Sequence, residues 1–553
     1  MLERTRRWLS AHPDWLLALA TMAMFAPFLA KPFNMDDPLF IWAAHQIRLH
    51  PANPYGFNLI WGQSPFPMWN VTDNPPLACY YLAAASLVFG WSAVGLHLAF
   101  LGPALAVVWG TRRLASHFCA CPTLAALATL CTPVFLVSGL TVMCDVVMLA
   151  LWIWAAVSWV EGLQRDDAGR LAWSGLLMAL AFLSKYYGAC LVPLLGAYGL
   201  LRKRRPGLWM LYLLIPLAVI YAYQVATLLL YGHNLLRRAL QFSTFVKANY
   251  GYTGTAEMLK TLAFTGGCMA VAVFFTPFLW RRKRMAVGAF ILVAGILLLI
   301  RGPIEKSPGA SQWVSPAWVM VQIAFWGAGG ICVLALAIAD VIQRREAASW
   351  LLALWVAGTF AFVAFFNWTV NGRSILPMAP AVGILMARRL ERNVPDGRGV
   401  WTPGTVGALA AGAALALAVM RADLLLARAV REAAQTCCTQ FQAPGRTLWF
   451  QGHWGFQYYM QNLGAKPIDL DHPGLKAGDI FFVPGNNANL RSPELDLSHP
   501  RAIIVVPKSR FLATMDDATG AGFYASLTAA LPFAFGRVPP EQVAEFDYHG
   551  PPP

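Results

Sequence analysis

The sequence predicts an α-helical polytopic membrane protein of about thirteen transmembrane helices, with a small α/β domain at its C-terminal end. Three observations carry this prediction. The 553 residues are 58% hydrophobic and only 12% charged, with 22 Trp and 33 Phe, a balance outside that of water-soluble folds. Apolar runs of roughly 17 to 25 residues recur from Trp15 to Met420, each long enough to cross a hydrocarbon core of about 30 Å. After Arg421 the runs stop, and the chain turns to short β-rich stretches.

The first run, Trp15 to Ala30, follows the basic residues Arg4, Arg6 and Arg7 and lacks a small-x-small cleavage site. It reads as a retained span with a cytoplasmic N-terminus. A formal charge of +15 falls in short Lys/Arg clusters between apolar runs, as cytoplasmic loops require, and this excludes a nucleic-acid surface. Walking between the clusters at 202–205, 281–284, 344–345 and 388–392 sets the orientation of every link. The segments 31–76, 231–262, 301–316 and 371–374 are placed outside, as are the turns near 138–145 and Lys185. Between an external start and a cytoplasmic end, Leu77 to Gly110 is allowed one net crossing, read as a single long helix broken or tilted near Gly90 and Ser92.

The last span, about 403–422, runs outward. The chain then divides into a transmembrane domain over 1–422, with 31–76 as its first periplasmic loop, and a periplasmic α/β domain over 423–553. Gly478-Asp-Ile-Phe-Phe-Val-Pro and Arg501-Ala-Ile-Ile-Val-Val-Pro are its clearest strands. No repeat and no Gly-rich phosphate loop accompanies them, which disfavours a nucleotide-driven enzyme. The ten Cys show neither metal spacing nor a disulfide framework; most lie in apolar runs, and Cys119-x-Cys121 and Cys437-Cys438 are weak signals.

Ionisable residues gather on the outer side. Asp36-Asp37 directly follows the first span, and Asp73-Asn74-Pro-Pro directly precedes the second. Adjacent carboxylates at a membrane boundary suit a general base or a metal ligand. The competing structural readings are a helix cap with Pro38 in its first turn, and a turn-forming role for Asp73. Asp145, Lys185, His233, Lys247, Arg301, Lys306 and Arg373 also fall at or beyond outer helix ends, where a dianionic substrate would find partners. Asp145 and Lys185 lie among apolar residues and either border a site or pair with each other. Lys185 and Arg373 have a further alternative in snorkelling to lipid headgroups. His233 reads equally as a surface histidine, and His97 as a buried one.

In their order along about 400 residues, these pieces resemble the C-superfamily membrane glycosyltransferases, in the branch of the protein O-mannosyltransferases and the lipid A aminoarabinose transferase. The resemblance rests on Asn34-Met-Asp-Asp-Pro, Asn74-Pro-Pro-Leu-Ala-Cys-Tyr-Tyr with Phe89-Gly90 downstream, the helix bearing Asp145, Gly175-Leu-Leu-Met-Ala-Leu-Ala-Phe-Leu-Ser-Lys185, and Gly372-Arg-Ser-Ile-Leu-Pro-Met-Ala-Pro380. It implies an inverting transferase of the bacterial inner membrane that moves a sugar from a polyprenyl-phosphate donor to a glycan, lipid or protein acceptor.

On that resemblance Asp36 is the catalytic base, and Asp37 orients it or holds the acceptor. Lys185 and Arg373 bind the donor phosphate, supported by Asp145. Asp73 falls where relatives carry a carboxylate able to ligate a divalent metal, and His233 sits in roughly the loop where some have a metal-ligating His. Two positions depart from the pattern: Asn74 stands where relatives often carry Lys, and Leu39 where some carry Arg. Asn74 can hydrogen-bond phosphate but cannot offset its charge, so Lys247 or Arg301 would take over. A transporter or lipid flippase, or a non-catalytic relative of the transferases, are the alternative functions. The aromatic residues Trp454, Tyr458 and Tyr459 beside His453 read either as core or as a glycan contact.

Overall fold

The computed structural model describes residues 12–62, 64–72, 74–249, 254–283, 285, 288, 313–393, 399–441, 443–488, 490, 500–527 and 529–548. Asp73, Arg301 and Lys306, together with most of the run expected to span after Arg284, lie outside them.

Among the described residues six helices are long and apolar enough to cross a membrane: Ala93–Ala115, Cys144–Arg165, Leu208–Tyr231, Pro316–Arg344, Ala347–Phe366 and Pro403–Phe441. A seventh crossing is made if the pair Gly254–Cys268 and Ala270–Leu279, bent by 79°, counts as one broken span. Shorter apolar helices occupy Pro13–Phe28, Leu77–Phe89 and Ala168–Ser184. Apolar length alone does not reveal where a run is cut. The stretch after Cys121 is one such case: it becomes Pro122–Leu130 and Pro133–Ser138, separated where Thr132 caps the second helix and Pro133 opens it.

Leu77 to Gly110 also differs from expectation. It is not one broken helix but a hairpin of Leu77–Phe89 and Ala93–Ala115, reversed at Gly90, whose φ of +70° suits a residue without Cβ. The two arms lie side by side: the Tyr81 hydroxyl donates to the Ala99 carbonyl at 2.6 Å, and the Tyr81 and Phe100 rings meet edge to face. Thirteen residues of helix reach about 20 Å, short of a bilayer core, so the first arm leaves the single net crossing to the second.

Cys144–Arg165 is the central helix, with 89% of its apolar window buried, while Leu208–Tyr231 lies at the periphery with 17%. Close backbone approach knits Gly254–Cys268 to Pro316–Arg344: a Cβ on Gly266 would lie 1.8 Å from the Trp326 carbonyl oxygen.

The chain ends in a five-stranded mixed sheet ordered Lys466–Pro467, Leu448–Phe450, Ile480–Pro484, Glu541–Asp547, Ala502–Val506. The boundary drawn at 422/423 falls inside a continuous helix, Pro403–Phe441. Its apolar run ends near Arg421, but the helix persists because Ala433, Ala434, Cys437 and Cys438 bury a second face, and Phe441 meets Phe482 on the sheet. From the sheet a strap over residues 512–535 returns to the helices: the Phe523 carbonyl accepts the Gly372 N–H at 2.7 Å, and the Phe535 carbonyl accepts the Trp318 indole N–H at 2.6 Å.

Candidate active site

At the sheet-bearing end of the bundle the chain leaves Pro13–Phe28 and turns sharply into the helix Asp37–Leu49. Met35 takes a positive φ of 49°, uncommon for a residue with a side chain, and sends the two acids in different directions. Asp37 is fully buried. One of its oxygens accepts the Asn34 N–H and the other the Val142 N–H, each at 3.0 Å. Its carboxylate thereby fastens the first loop to the loop ahead of the central helix. Burial lifts its pKa from the ordinary 3.8 to about 6, against the pull of Lys31 and the two backbone donors.

Asp36 holds the N-cap position of that helix, yet its side chain makes no capping bond. It reaches instead to Arg373, whose Nη2 lies 2.9 Å from Oδ2. The two acids therefore differ in setting: each Asp37 oxygen accepts a backbone N–H inside the fold, while Asp36 remains partly exposed.

Arg373 is placed by three devices. The helix Ala347–Ala361 ends in a π-helical turn, Phe362–Phe366. Asn371 then caps the one-turn helix Gly372–Ile375 by accepting the Ser374 N–H at 2.8 Å. The Phe523 ring presses on Gly372, where a Cβ would come within 2.6 Å. The Arg373 guanidinium faces Met143 Sδ at 2.8 Å through Nη1 and lies 5.8 Å from the Tyr524 ring centroid; its Nε is buried with no partner among the described residues.

Asp145, one turn into the central helix and fully buried, pairs with Lys185 at 2.6 Å. Lys185 ends the helix Ala168–Ser184 as its C-cap, where a cation is favoured by the helix dipole. The Asp145 carboxylate bears electrostatically on Arg373, so the two ion pairs form one cluster. Arg373 and Lys185 keep 13% and 19% of their side chains exposed against 0% for Asp145, so the cations remain partly accessible while the Asp145 carboxylate is buried.

The other candidates are dispersed. The Asn74 carbonyl accepts the Tyr55 hydroxyl at 2.7 Å. Lys247 lies on the helix Leu235–Asn249, where the charge of Glu257 bears on it. His233 stacks on Trp69 at 4.7 Å, and the same ring carries the Arg238 guanidinium at 5.1 Å. A cation beside the ring is a poor setting for a metal ligand. Among the described residues no group of three or more His, Cys, Asp or Glu converges as a metal site, and Asp73 falls outside them. His97 is buried, with Nδ1 2.9 Å from the Leu29 carbonyl.

Sequence reasoning missed the pair behind the cluster. Lys31 Nζ meets Asp423 Oδ2 at 2.6 Å and also donates to the Leu140 carbonyl; Asp423 further accepts Thr514 Oγ1 at 3.0 Å and the Tyr524 hydroxyl at 2.9 Å. A lysine inside the outer end of an apolar run was the available signal.

Residues 73–231, which include Asn74, Asp145 and Lys185, match the family model described as dolichyl-phosphate-mannose-protein mannosyltransferase. This bears out the resemblance to membrane glycosyltransferases over that segment and does not favour the transporter reading. No curated protein sequence gives a significant match. Among solved structures, the archaeal oligosaccharyltransferase AglB from Archaeoglobus fulgidus, in complex with an inhibitory peptide and a dolichol-phosphate, is similar at 13% identity and a TM-score of 0.47, over 83% of this chain and 64% of that one. The chain therefore spans less than two thirds of that relative's length. ArnT from Cupriavidus metallidurans, bound to undecaprenyl phosphate, is similar at 13% identity and a TM-score of 0.39, over 86% of this chain and 93% of that one.

Proposed function

For a chain whose 73–231 segment matches the mannosyltransferase family, we propose an inverting glycosyltransferase that moves a hexosyl or pentosyl group from a polyprenyl-phosphate donor to an envelope acceptor, at the periplasmic face of the bacterial inner membrane. The observation that carries this reading is the contact of Asp36 with Arg373 beside the Asp145–Lys185 pair: a partly exposed carboxylate next to two partly exposed cations.

The chemistry follows from those positions. Asp36 takes the proton of the acceptor hydroxyl, which requires direct hydrogen-bond reach. The acceptor oxygen attacks the anomeric carbon opposite the phosphate, the carbon–oxygen bond to phosphate breaks, and its electron pair leaves on the phosphate oxygen. Arg373 and Lys185 stabilise that growing charge. Arg373 has capacity for this role without releasing Asp36, because Nη1 faces only a weak thioether acceptor. Asn74 is a neutral donor to the same phosphate.

The test is turnover by the purified protein with undecaprenyl-phosphate sugars and an envelope extract as acceptor source. Release of free undecaprenyl phosphate by the wild type but not by a folded Asp36→Asn variant supports the reading. Equal release by both ends the assignment of Asp36 as base.

A further inference from the structure

The seam between the first loop and the C-terminal sheet holds an unusual set of buried amides. Asn34, Gln451 and Gln457 are all more than nine-tenths buried, yet both amide atoms of Asn34 and both of Gln451 have no hydrogen-bond partner among the described residues. The Gln457 side chain is oriented by a bond from Nε2 to the Ile60 carbonyl at 2.9 Å. His453, 2% exposed, stands beside Gln457 and stacks on Trp61 at 4.9 Å.

These residues belong to one place. A Cβ on Gly455 would lie 3.0 Å from Asn34 Oδ1, so the backbones of the loop and the sheet domain nearly touch. Trp42 meets both Trp61 and Tyr458, and Tyr458 meets Phe33. Backbone conformation is forced there as well: Gly452 has φ of +107° and Trp454 of +60°. Asn34 lies two residues before Asp36, and its own N–H holds Asp37.

Unpaired amide donors and acceptors in a dry seam carry a desolvation penalty that a purely structural interface would remove by apolar substitution. They lie beside partly buried aromatic rings, and among the described residues no Lys or Arg side chain bonds to any of the four polar residues. Amides able both to donate and to accept, with indole and phenol faces and no countercharge, match the hydroxyls and C–H faces of a neutral sugar. A phosphorylated or acidic ligand would leave its charge unmatched here.

We propose that Asn34, Gln451, His453 and Gln457, with Trp42 and Trp61, form the subsite that binds a neutral glycan as the acceptor of the reaction. The assignment rests on the transfer reading above for the word acceptor. The glycan enters by parting the loop from the sheet domain and brings a hydroxyl toward the Asp36 side of Asn34. A hydroxyl-bearing peptide is the competing occupant.

The experiment is saturation-transfer NMR on the full-length protein in nanodiscs, with cellotetraose, maltotetraose, mannotetraose and chitotetraose as probes and a Ser/Thr-rich peptide as comparator. At least one tetrasaccharide gives transfer in the wild type. Gln451→Met weakens that binding tenfold or more while leaving the melting temperature unchanged or raised, and His453→Phe does the same should Gln451→Met fail to fold. Asp36→Asn binds the same tetrasaccharide as tightly as the wild type. Absence of transfer from all four sugars, transfer from the peptide alone, or equal binding by wild type and Gln451→Met overturns the proposal. Sugar binding without any donor turnover in the wild type overturns the transfer reading and leaves the glycan site standing.

Discussion

Lys31 and Asp423, at the outset of the first loop and midway along the long C-terminal helix, form an ion pair of 2.6 Å with each side chain only 1% exposed. The pair ties the loop bearing Asp36 to the helix that carries the sheet domain. Thr514 and Tyr524 complete the coordination of Asp423, so the strap over Arg373 hangs from the same point.

Breaking that pair from one side leaves a buried charge without compensation. Asp423→Ala is expected to cost about 3–5 kcal/mol, whereas Lys31→Met combined with Asp423→Leu costs much less because no charge is left behind. Thermal unfolding of the two variants in the same detergent checks this; equal losses would mean that packing around the pair, not charge, dominates.

Asp36→Asn keeps the size of the side chain and removes the base. The expected loss of turnover is roughly a hundred- to ten-thousand-fold with unchanged folding. The rate of polyprenyl phosphate release measures it, and a loss of only two- or threefold would move the proton-accepting role elsewhere.

Asp37 gives the fold a pH signature. Its pKa is raised in the native state from 3.8 to about 6, so the native protein binds that proton more tightly than the unfolded chain does. The associated stability is fully present below about pH 4 and declines as pH rises to about 6, by an order of about 3 kcal/mol. Asp37→Asn is expected to flatten this part of the profile. Melting temperatures of wild type and variant between pH 4 and pH 7 check it, and parallel curves would contradict it.

Gly372→Ala places a methyl group 2.6 Å from the Phe523 ring, and the one-turn helix must shift to relieve the clash. Displacing Arg373 by ~1 Å is expected to lower turnover about a hundredfold. The same substitution with Phe523→Leu restores part of the rate if the clash is the cause, which a paired assay of the two variants decides.

The helical membrane character was legible because apolar length alone specifies it. The number and breaks of the helices were not, since Thr132-Pro133 and Gly90 divide runs whose composition is continuous. Asp36, Asp145, Lys185 and Arg373 were legible as candidates because charges beside apolar runs are costly. What the sequence concealed is direction: adjacent Asp36 and Asp37 look equivalent until Met35 turns one toward Arg373 and the other onto backbone amides. Asp423 marked a supposed domain boundary and is instead an anchor inside a helix.

In the proposed reaction Arg373 and Lys185 form an outward site for a lipid-linked phosphate, distinct from the base. Binding of undecaprenyl phosphate to purified wild type, Arg373→Met, Lys185→Met and Asp36→Asn, followed by thermal shift in one detergent, tests it most directly. The account predicts clear stabilisation of wild type and Asp36→Asn, and a loss of tenfold or more in affinity for both cation variants. Wild-type affinity in Arg373→Met and Lys185→Met would contradict it.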